Sequence, residues 1–332
     1  MLLLMPILMG LTGASGGKTP AAQLRMNQIQ VIGTHNSYHV ASPGPLHDLL
    51  TKARPDALEW EYTHAPLDVQ LDRGVRSLEL DVHHDPAGTK VMHVPRYDPS
   101  STCSTFVECL GTVRAWSDSH RNHVPILMLV ELKDEKIPLV NVLPFEEAAL
   151  DQLDAEIRSV FSPDRLLIPD NVRRDGLTLA ESIQEKGWPL LKDARGKVML
   201  VLHARGRHAE LYTFGRPSLE GRAMFLESQE GKPFASVFIR NNPRDPDIGR
   251  LVKEGFIVRT RADANVVAVA NGAIDNREAA LAGGANIVST DFPNGETEPK
   301  TGYVVKLPGD VPARCNPLNS PAGSDSLKKD EG

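Results

Sequence analysis

The sequence predicts an α/β protein built on a TIM-type (β/α)8 barrel, and three observations carry that expectation. Short β-branched or aliphatic runs alternate with helix-like stretches along most of the 332 residues, the pattern of a parallel sheet wrapped by helices. Eight such runs can be marked, enough for a closed barrel, although an open doubly wound sheet would use the same elements. Several of the runs finish in a carboxylate or a histidine, and barrel active sites are built at strand C-termini.

The predicted strands are Ile29–Gly33, Val75–Val82, Lys90–His93, Ile126–Leu132, Lys197–Leu202, Ser236–Arg240, Phe256–Thr260 and Ile287–Thr290. Between them, Phe145–Val160 sets Leu150, Leu153, Ile157 and Val160 at helical spacing. Thr178–Lys186 predicts a second helix, and Asn276–Leu281 a third that Gly283–Gly284 stops. One barrel domain is expected over residues 26–307, with a tail over 308–332 that is rich in Pro, Ser, Asp and Lys. The apolar run MLLLMPILMGLT, followed by small residues, is expected to be a signal peptide within residues 1–20 and to send the chain to a secreted or periplasmic location. It departs from the usual pattern in having no Lys or Arg before Lys18. Cys103 and Cys109 are spaced for a small disulfide-closed loop in an oxidising compartment, with Cys315 left over; three buried free thiols in a cytosolic protein are the other reading. A net charge of −6 and the absence of a Lys/Arg run exclude nucleic acid as the main partner, and no protein partner is implied.

The chemistry is concentrated at four places. In VRSLELDV the period of two puts Ser77, Glu79 and Asp81 on one face and Leu78, Leu80 and Val82 on the other. Two carboxylates aimed into a barrel repel one another unless a cation intervenes, although E-x-D by itself is more often a solvated or Arg-paired face. ILMLVELKDE brings Glu131 and Lys133 to the same rim, IGTHNSY supplies His35 and Asn36, and KVMHV ends by delivering His93. Oxygen donors from Asn36, Glu79, Asp81 and Glu131 suit a hard cation, Ca2+ before Mg2+, and leave both histidines free for proton chemistry.

With these residues in place the sequence resembles the phosphatidylinositol-specific phospholipase C superfamily, in its bacterial calcium-dependent branch. The stretches GTHNSY, GVRSLELDV, MHV, VPILMLVELKDE, GKVML, RTRAD and STDFP follow the family order from Ile29 to Pro293. The resemblance implies that His35 stabilises charge on the phosphoryl group and His93 acts as general acid toward the diacylglycerol oxygen. Asn36, Glu79, Asp81 and Glu131 match the Ca2+ ligands, and Glu131 is the expected acceptor of the inositol 2-hydroxyl proton. The products are then diacylglycerol and inositol (1,2-cyclic) phosphate. The substrate is a phosphoinositide or related phosphodiester met at a transient membrane surface.

Where the animal enzymes carry ring-phosphate-binding lysines, GKVMLVLH has Val201 and His203, which predicts a preference for an unphosphorylated ring. Lys133, His203 and Arg259 are expected to contact substrate, with ion pairing to Asp263 or Asp291 the other reading for Arg259 and Arg261, and pairing to a ligand carboxylate the other for Lys133. RYDPSSTCSTFVECL is expected to be a disulfide-pinned loop over the site, and His64, His83, His84 and His120 surface residues. Two rival functions remain open: a glycerophosphodiester phosphodiesterase or sphingomyelinase D-like enzyme, which would begin with His-Arg where this chain has His35-Asn36, and a non-catalytic extracellular binding module, which needs neither histidine.

Overall fold

A computed structural model describes residues 24–263, 265–321 and 327; the expected signal peptide lies outside them. The strands are β1 (Ile29–Thr34), β2 (Ser77–His83), β3 (Lys90–Val91), β4 (Ile126–Leu132), β5 (Leu166–Leu167), β6 (Val198–His203), β7 (Phe225–Leu226), β8 (Val237–Ile239), β9 (Ile257–Arg261), β10 (Ile287–Thr290) and β11 (Ala313–Cys315). Parallel pairing runs β1–β2–β4–β6–β7 on one side and β8–β9–β10–β1 on the other. A single parallel pair, Glu227 with Val237, joins β7 to β8, with the Ser228 N–H donating to the Val237 carbonyl at 2.8 Å. The ring of eight is thereby complete, and the expected barrel is found. The seam between β1 and β2 is also narrow, paired only at Gly33 and Ser77. A Cβ at residue 33 would come within 2.8 Å of the Ser77 Cβ, so the approach requires glycine.

Two expectations about the strands are corrected. Lys90–His93 is not a barrel strand: β3 is two residues long and returns antiparallel against the end of β2, Val82 facing Val91 and His83 facing Lys90. The physical reason is the connection. A parallel neighbour needs a crossover of a dozen residues or more, and DPAGT between the two runs is only a turn. The eighth barrel strand is instead β7, whose two residues sit between RAM and ESQ and give no alternating pattern. The stretch from residue 308 was expected to be a tail, yet β11 pairs antiparallel with β1, and Asn316 is buried with its amide donating to the Gly284 carbonyl at 2.7 Å.

The helical ring forms where the apolar spacing predicts it. In the helix Glu147–Val160, Leu150, Leu153 and Ile157 are buried against the barrel. Thr178 and Glu181 close a capping box at the start of Leu179–Lys186, satisfying two backbone donors of the first turn. Asp275–Ala282 is followed by Gly283, as expected. The helix Phe106–Ser119 starts at the Thr105 cap and buries Phe106, Cys109, Leu110 and Val113; Cys103 and Cys109 form the expected disulfide, with their Cα atoms 5.3 Å apart. Among the described residues no helix is long and apolar enough to cross a membrane.

Candidate active site and metal centre

The alternation in β2 sends Leu78, Leu80 and Val82 into the layer under the helices and turns Ser77, Glu79 and Asp81 into the barrel. Strand register then aligns three charged side chains in one row: Asp81 is paired with Glu131, and Glu131 with His203, across β2, β4 and β6. Lys133 folds back over this row, its Nζ 2.5 Å from Glu131 and 3.2 Å from Asp81. His203 Nδ1 lies 3.1 Å from Glu131 and 4.0 Å from Glu79. Glu79, one step deeper, holds Arg259 at 2.5 Å.

Three carboxylates, Glu79, Asp81 and Glu131, are thus linked through Lys133 and His203, and some of the buried oxygens go without a donor. Asn36 occupies the left-handed region at φ 43°, which asparagine tolerates better than most residues, and this turn buries its amide. Its Oδ1 and the Oδ1 of Asp81 are buried and accept no hydrogen bond, an arrangement that costs on the order of 1–3 kcal/mol per atom unless something fills it. Burial, only partly offset by Lys133 and reinforced by Glu131 and Glu79, pushes the Asp81 carboxyl up to about 8. The site therefore carries more buried acid than its own cations stabilise. One ligand atom from each of Glu79, Glu131 and His203 lies within 4.8 Å of the others. An oxygen-rich donor set with orphaned oxygens fits a hard divalent cation.

Glu131 differs from Asp81. Burial raises its carboxyl, but the nearby His203 and Lys133 outweigh that and keep it well below the usual carboxylate range. The same two carboxylates hold the Lys133 ammonium in its charged form against the burial that opposes it. His203 is raised despite burial, because Glu131, Glu79 and Glu227 surround it.

Each of the two predicted proton carriers is fastened at one nitrogen. His35 Nδ1 lies 2.8 Å from Asp291, which follows β10, and Asp291 in turn holds Arg261 at 2.6 Å. Burial first, then Arg261, lower His35 from its ordinary value, against the opposing pull of Asp291 and Glu79. His93 Nδ1 lies 2.8 Å from Asp98, whose same oxygen meets the buried His39 at 2.7 Å. In both, Nδ1 is held by a buried aspartate, which fixes the ring and leaves Nε2 as the working atom. His93 also packs edge-on against Trp60, with centroids 5.0 Å apart.

His93 reaches the rim from the loop after β3 and not from a barrel strand. Arg259, expected at the mouth, is almost wholly buried and committed to Glu79, Asn241 and Ser289. His64 and His83 are buried, not on the surface: His64 bonds Glu296 and the His35 carbonyl, and His83 the Met92 carbonyl. Sequence reasoning did not single out Asp98, His39 or Glu227. Asp98 sits five residues beyond His93, a spacing with no helical or strand meaning, and only the fold brings them together.

Two cavities flank the cluster. One, of about 460 Å³, is walled by Leu50, Trp60, His93, Val94, Ile137 and Pro138, with Lys133 at its inner end. The other is polar and opens from Glu131 and His203 toward Glu227 and Asn241.

Comparison with known proteins gives the family and the fold. The family described as Phosphoinositide phospholipase C, Ca2+-dependent, matches residues 24–89 and 86–317. Among solved structures, the calcium-dependent phosphoinositol-specific phospholipase C of a Gram-negative Pseudomonas superposes with a TM-score of 0.57 at 18% identity, over 90% of this chain and 97% of that one. A second structure of that Pseudomonas enzyme, described as a myoinositol complex, gives 0.57 at 17% over 89% and 96%. The Ca2+-dependent phosphatidylinositol-specific phospholipase C of Streptomyces antibioticus gives 0.56 at 18%, over 81% and 95%. No curated protein matches the chain by sequence. At such identities the superpositions show the fold, whereas the family match runs through nearly every described residue: the chain belongs to the Ca2+-dependent phosphoinositide phospholipase C family, and so to its phosphodiesterases.

Proposed function

We propose that the chain cleaves phosphatidylinositol to diacylglycerol and inositol (1,2-cyclic) phosphate, with Asn36, Glu79, Asp81 and Glu131 holding Ca2+. The bound ion supplies Lewis-acid polarisation of the phosphoryl oxygen and of the inositol 2-hydroxyl. The residues do the rest. Glu131, ionised and with 27% of its side chain exposed, accepts the 2-hydroxyl proton. His35 donates from Nε2 to the phosphoryl oxygen as charge builds there, and His93 protonates the departing glycerol oxygen. Lys133 and His203 face substrate from either side of Glu131, and Arg259 acts from beneath by orienting Glu79.

The observation that carries this reading is the pair of histidines, each tied at Nδ1 to a buried aspartate, beside a carboxylate cluster with orphaned oxygens. The cavities give the substrate its direction. His93, the acid for the lipid oxygen, borders the apolar cavity, and the polar cavity beyond Glu131 is left for the inositol ring. Leu49 and Leu139, 65% and 81% exposed on the segments that wall the apolar side, favour docking at a membrane surface. The disulfide favours an exported protein.

Phosphorus NMR of the purified protein with phosphatidylinositol, lysophosphatidylcholine and glycerophosphodiesters, each with Ca2+, Mg2+ or chelator, tests the whole. The expected outcome is a cyclic inositol phosphate formed only with divalent metal, Ca2+ best. Turnover indifferent to chelator removes the metal assignment, and release of choline or glycerol alone moves the chain to the rival phosphodiesterase class.

A further inference from the structure

Beside the oxygen-rich cluster, a second group of side chains has the chemistry of a metal site, and of a different kind. His39, His93 and Asp98 each present one ligand atom within 4.8 Å of the other two. His39 Nε2 and His93 Nδ1 meet the same Asp98 oxygen at 2.7 and 2.8 Å, and the two rings stand at 90° with centroids 5.7 Å apart. His39 and Asp98 are buried, whereas His93 keeps 16% of its side chain exposed and lines the apolar cavity, which gives an ion a way in. Two details point past the hydrogen bonds. His39 Nδ1 lies 3.0 Å from the Tyr62 carbonyl, which only accepts, so Nδ1 carries a proton and Nε2 is the nitrogen with a lone pair to give. A carbonyl on the far nitrogen is how metal-binding histidines are commonly oriented. That lone pair faces a carboxylate, a repulsion that only a cation between them, proton or metal, relieves. Asp98 Oδ1, moreover, is buried without a hydrogen-bond partner.

We propose that His39, His93 and Asp98 form a site for a transition-metal dication, Zn2+ by its ligand chemistry, whose occupancy takes the general acid out of use. Binding stands on the geometry alone; the effect on turnover rests on the reading of His93 as the acid. Two imidazoles and one carboxylate are donors that Zn2+ takes with a fourth position left for water, whereas Ca2+ prefers the oxygens around Asp81. A tetrahedral Zn2+ holds its ligand atoms about 2.0–2.2 Å away and so roughly 3.3 Å from one another. The rings therefore need to open from Asp98 by only about half an ångström. On binding, the protons between the rings and Asp98 leave to solvent, and the lone pairs of His39 Nε2 and His93 Nδ1 go to the metal. His93 keeps its Nε2–H, but giving that proton away would leave an imidazolate, so it no longer passes to the glycerol oxygen.

The test uses the whole chain with saturating Ca2+. Co2+, a spectroscopic stand-in, is expected to bind as a single equivalent with the visible absorption of a four-coordinate site, and Zn2+ to displace it. Under Zn2+, cleavage of phosphatidylinositol should fall by about tenfold or more. An inositol phosphodiester with a nitrophenolate leaving group, which needs no proton, should be cleaved as before, and further Ca2+ should not restore the lost rate. His39→Phe, which removes one ligand, should lose the Co2+ band and the Zn2+ sensitivity together. Inhibition of both substrates, or its relief by added Ca2+, would put the ion in the carboxylate cluster and overturn the proposal. So would the lack of a Co2+ band in the Ca2+-loaded protein, or a band retained in folded His39→Phe. If the wild type cleaves neither substrate, it is the proposed function that fails, and the Co2+ titration still decides the site. Should His39→Phe not fold, the wild-type band, the contrast between substrates and the Ca2+ competition decide without it.

Discussion

The two histidines are held by walls of different construction. His35 is set by barrel strands: its N–H donates to the Thr290 carbonyl at 3.1 Å, its ring meets Asp291, and Asp291 is gripped by Arg261 on β9 and by its own N–H bonded to Asp263. His93 is set by loops. Asp98 lies in the segment after β3, His39 comes from the loop after β1, and the two loops are laced by Thr102 donating to Tyr38 at 2.8 Å and by the His39–Ser101 bridge. The cations differ as well. Asp291 faces a guanidinium, which stays charged at any working pH, whereas Asp98 faces only imidazoles. A wall with a permanent charge suits a group that stabilises developing charge, and among the described residues the wall around His93 holds no guanidinium on its aspartate.

The largest expected effect sharpens that division. Alanine at His35 or His93 should each lower kcat on phosphatidylinositol by about 10²–10⁴-fold. A substrate whose nitrophenolate oxygen leaves without needing a proton should separate them, restoring most of the rate to His93→Ala and none to His35→Ala. Equal losses on both substrates for His93→Ala would remove its acid role and make the two walls equivalent.

The disulfide breaks the comparison from the other side, because only the His93 wall depends on it. Cys103–Cys109 closes a loop of a few residues, and its loss through the paired serine variants should cost about 2 kcal/mol in the folded state. Asp98 lies five residues before Cys103, so the kinetic consequence should be a several-fold lower rate on phosphatidylinositol with the nitrophenyl substrate unaffected. Denaturant titration and the two assays check both parts. A loss shared by both substrates would place the disulfide's effect on the whole barrel.

The same division explains what could be read from the sequence. The His35 wall and the carboxylate row follow from strand periodicity: Glu79, Asp81 and Glu131 are fixed by alternation, and their alignment needs only neighbouring parallel strands. Arg261 with Asp291 was one of the pairings the pattern offered. The His93 wall follows from no period. His93 was given to a strand because KVMHV is apolar, though the turn before it is too short for a parallel crossover. Asp98 could not be paired with it because a spacing of five belongs to no regular element, and His39 could not be joined to Asp98 because 59 residues separate those two. Arg259 was aimed at the mouth because a strand face was known but not its depth in the barrel. Glu227 was missed because a two-residue strand shows no pattern at all.

The smallest effect concerns acid stability, where the walls share a sign. Burial alone would raise the Asp98 carboxyl, but hydrogen bonds from His39 and His93 outweigh it and hold the group well below the usual carboxylate range. A carboxyl depressed in the folded state stabilises it above the unfolded value of about 4, and that contribution disappears as pH falls from there toward the folded value. Each such group steepens the loss by up to about 1.4 kcal/mol per pH unit within that window. Asp98→Asn should start less stable at neutral pH and then lose less between about pH 5 and pH 3, measured by denaturant unfolding with metal chelated so that ion release does not enter. Asp291→Asn should flatten the same limb, but through the loss of a partner for Arg261, a charge that acid cannot change. Parallel acid limbs for wild type and Asp98→Asn would mean that the Asp98 carboxyl is not held down by its histidines, and the His93 wall would lose the property that distinguishes it.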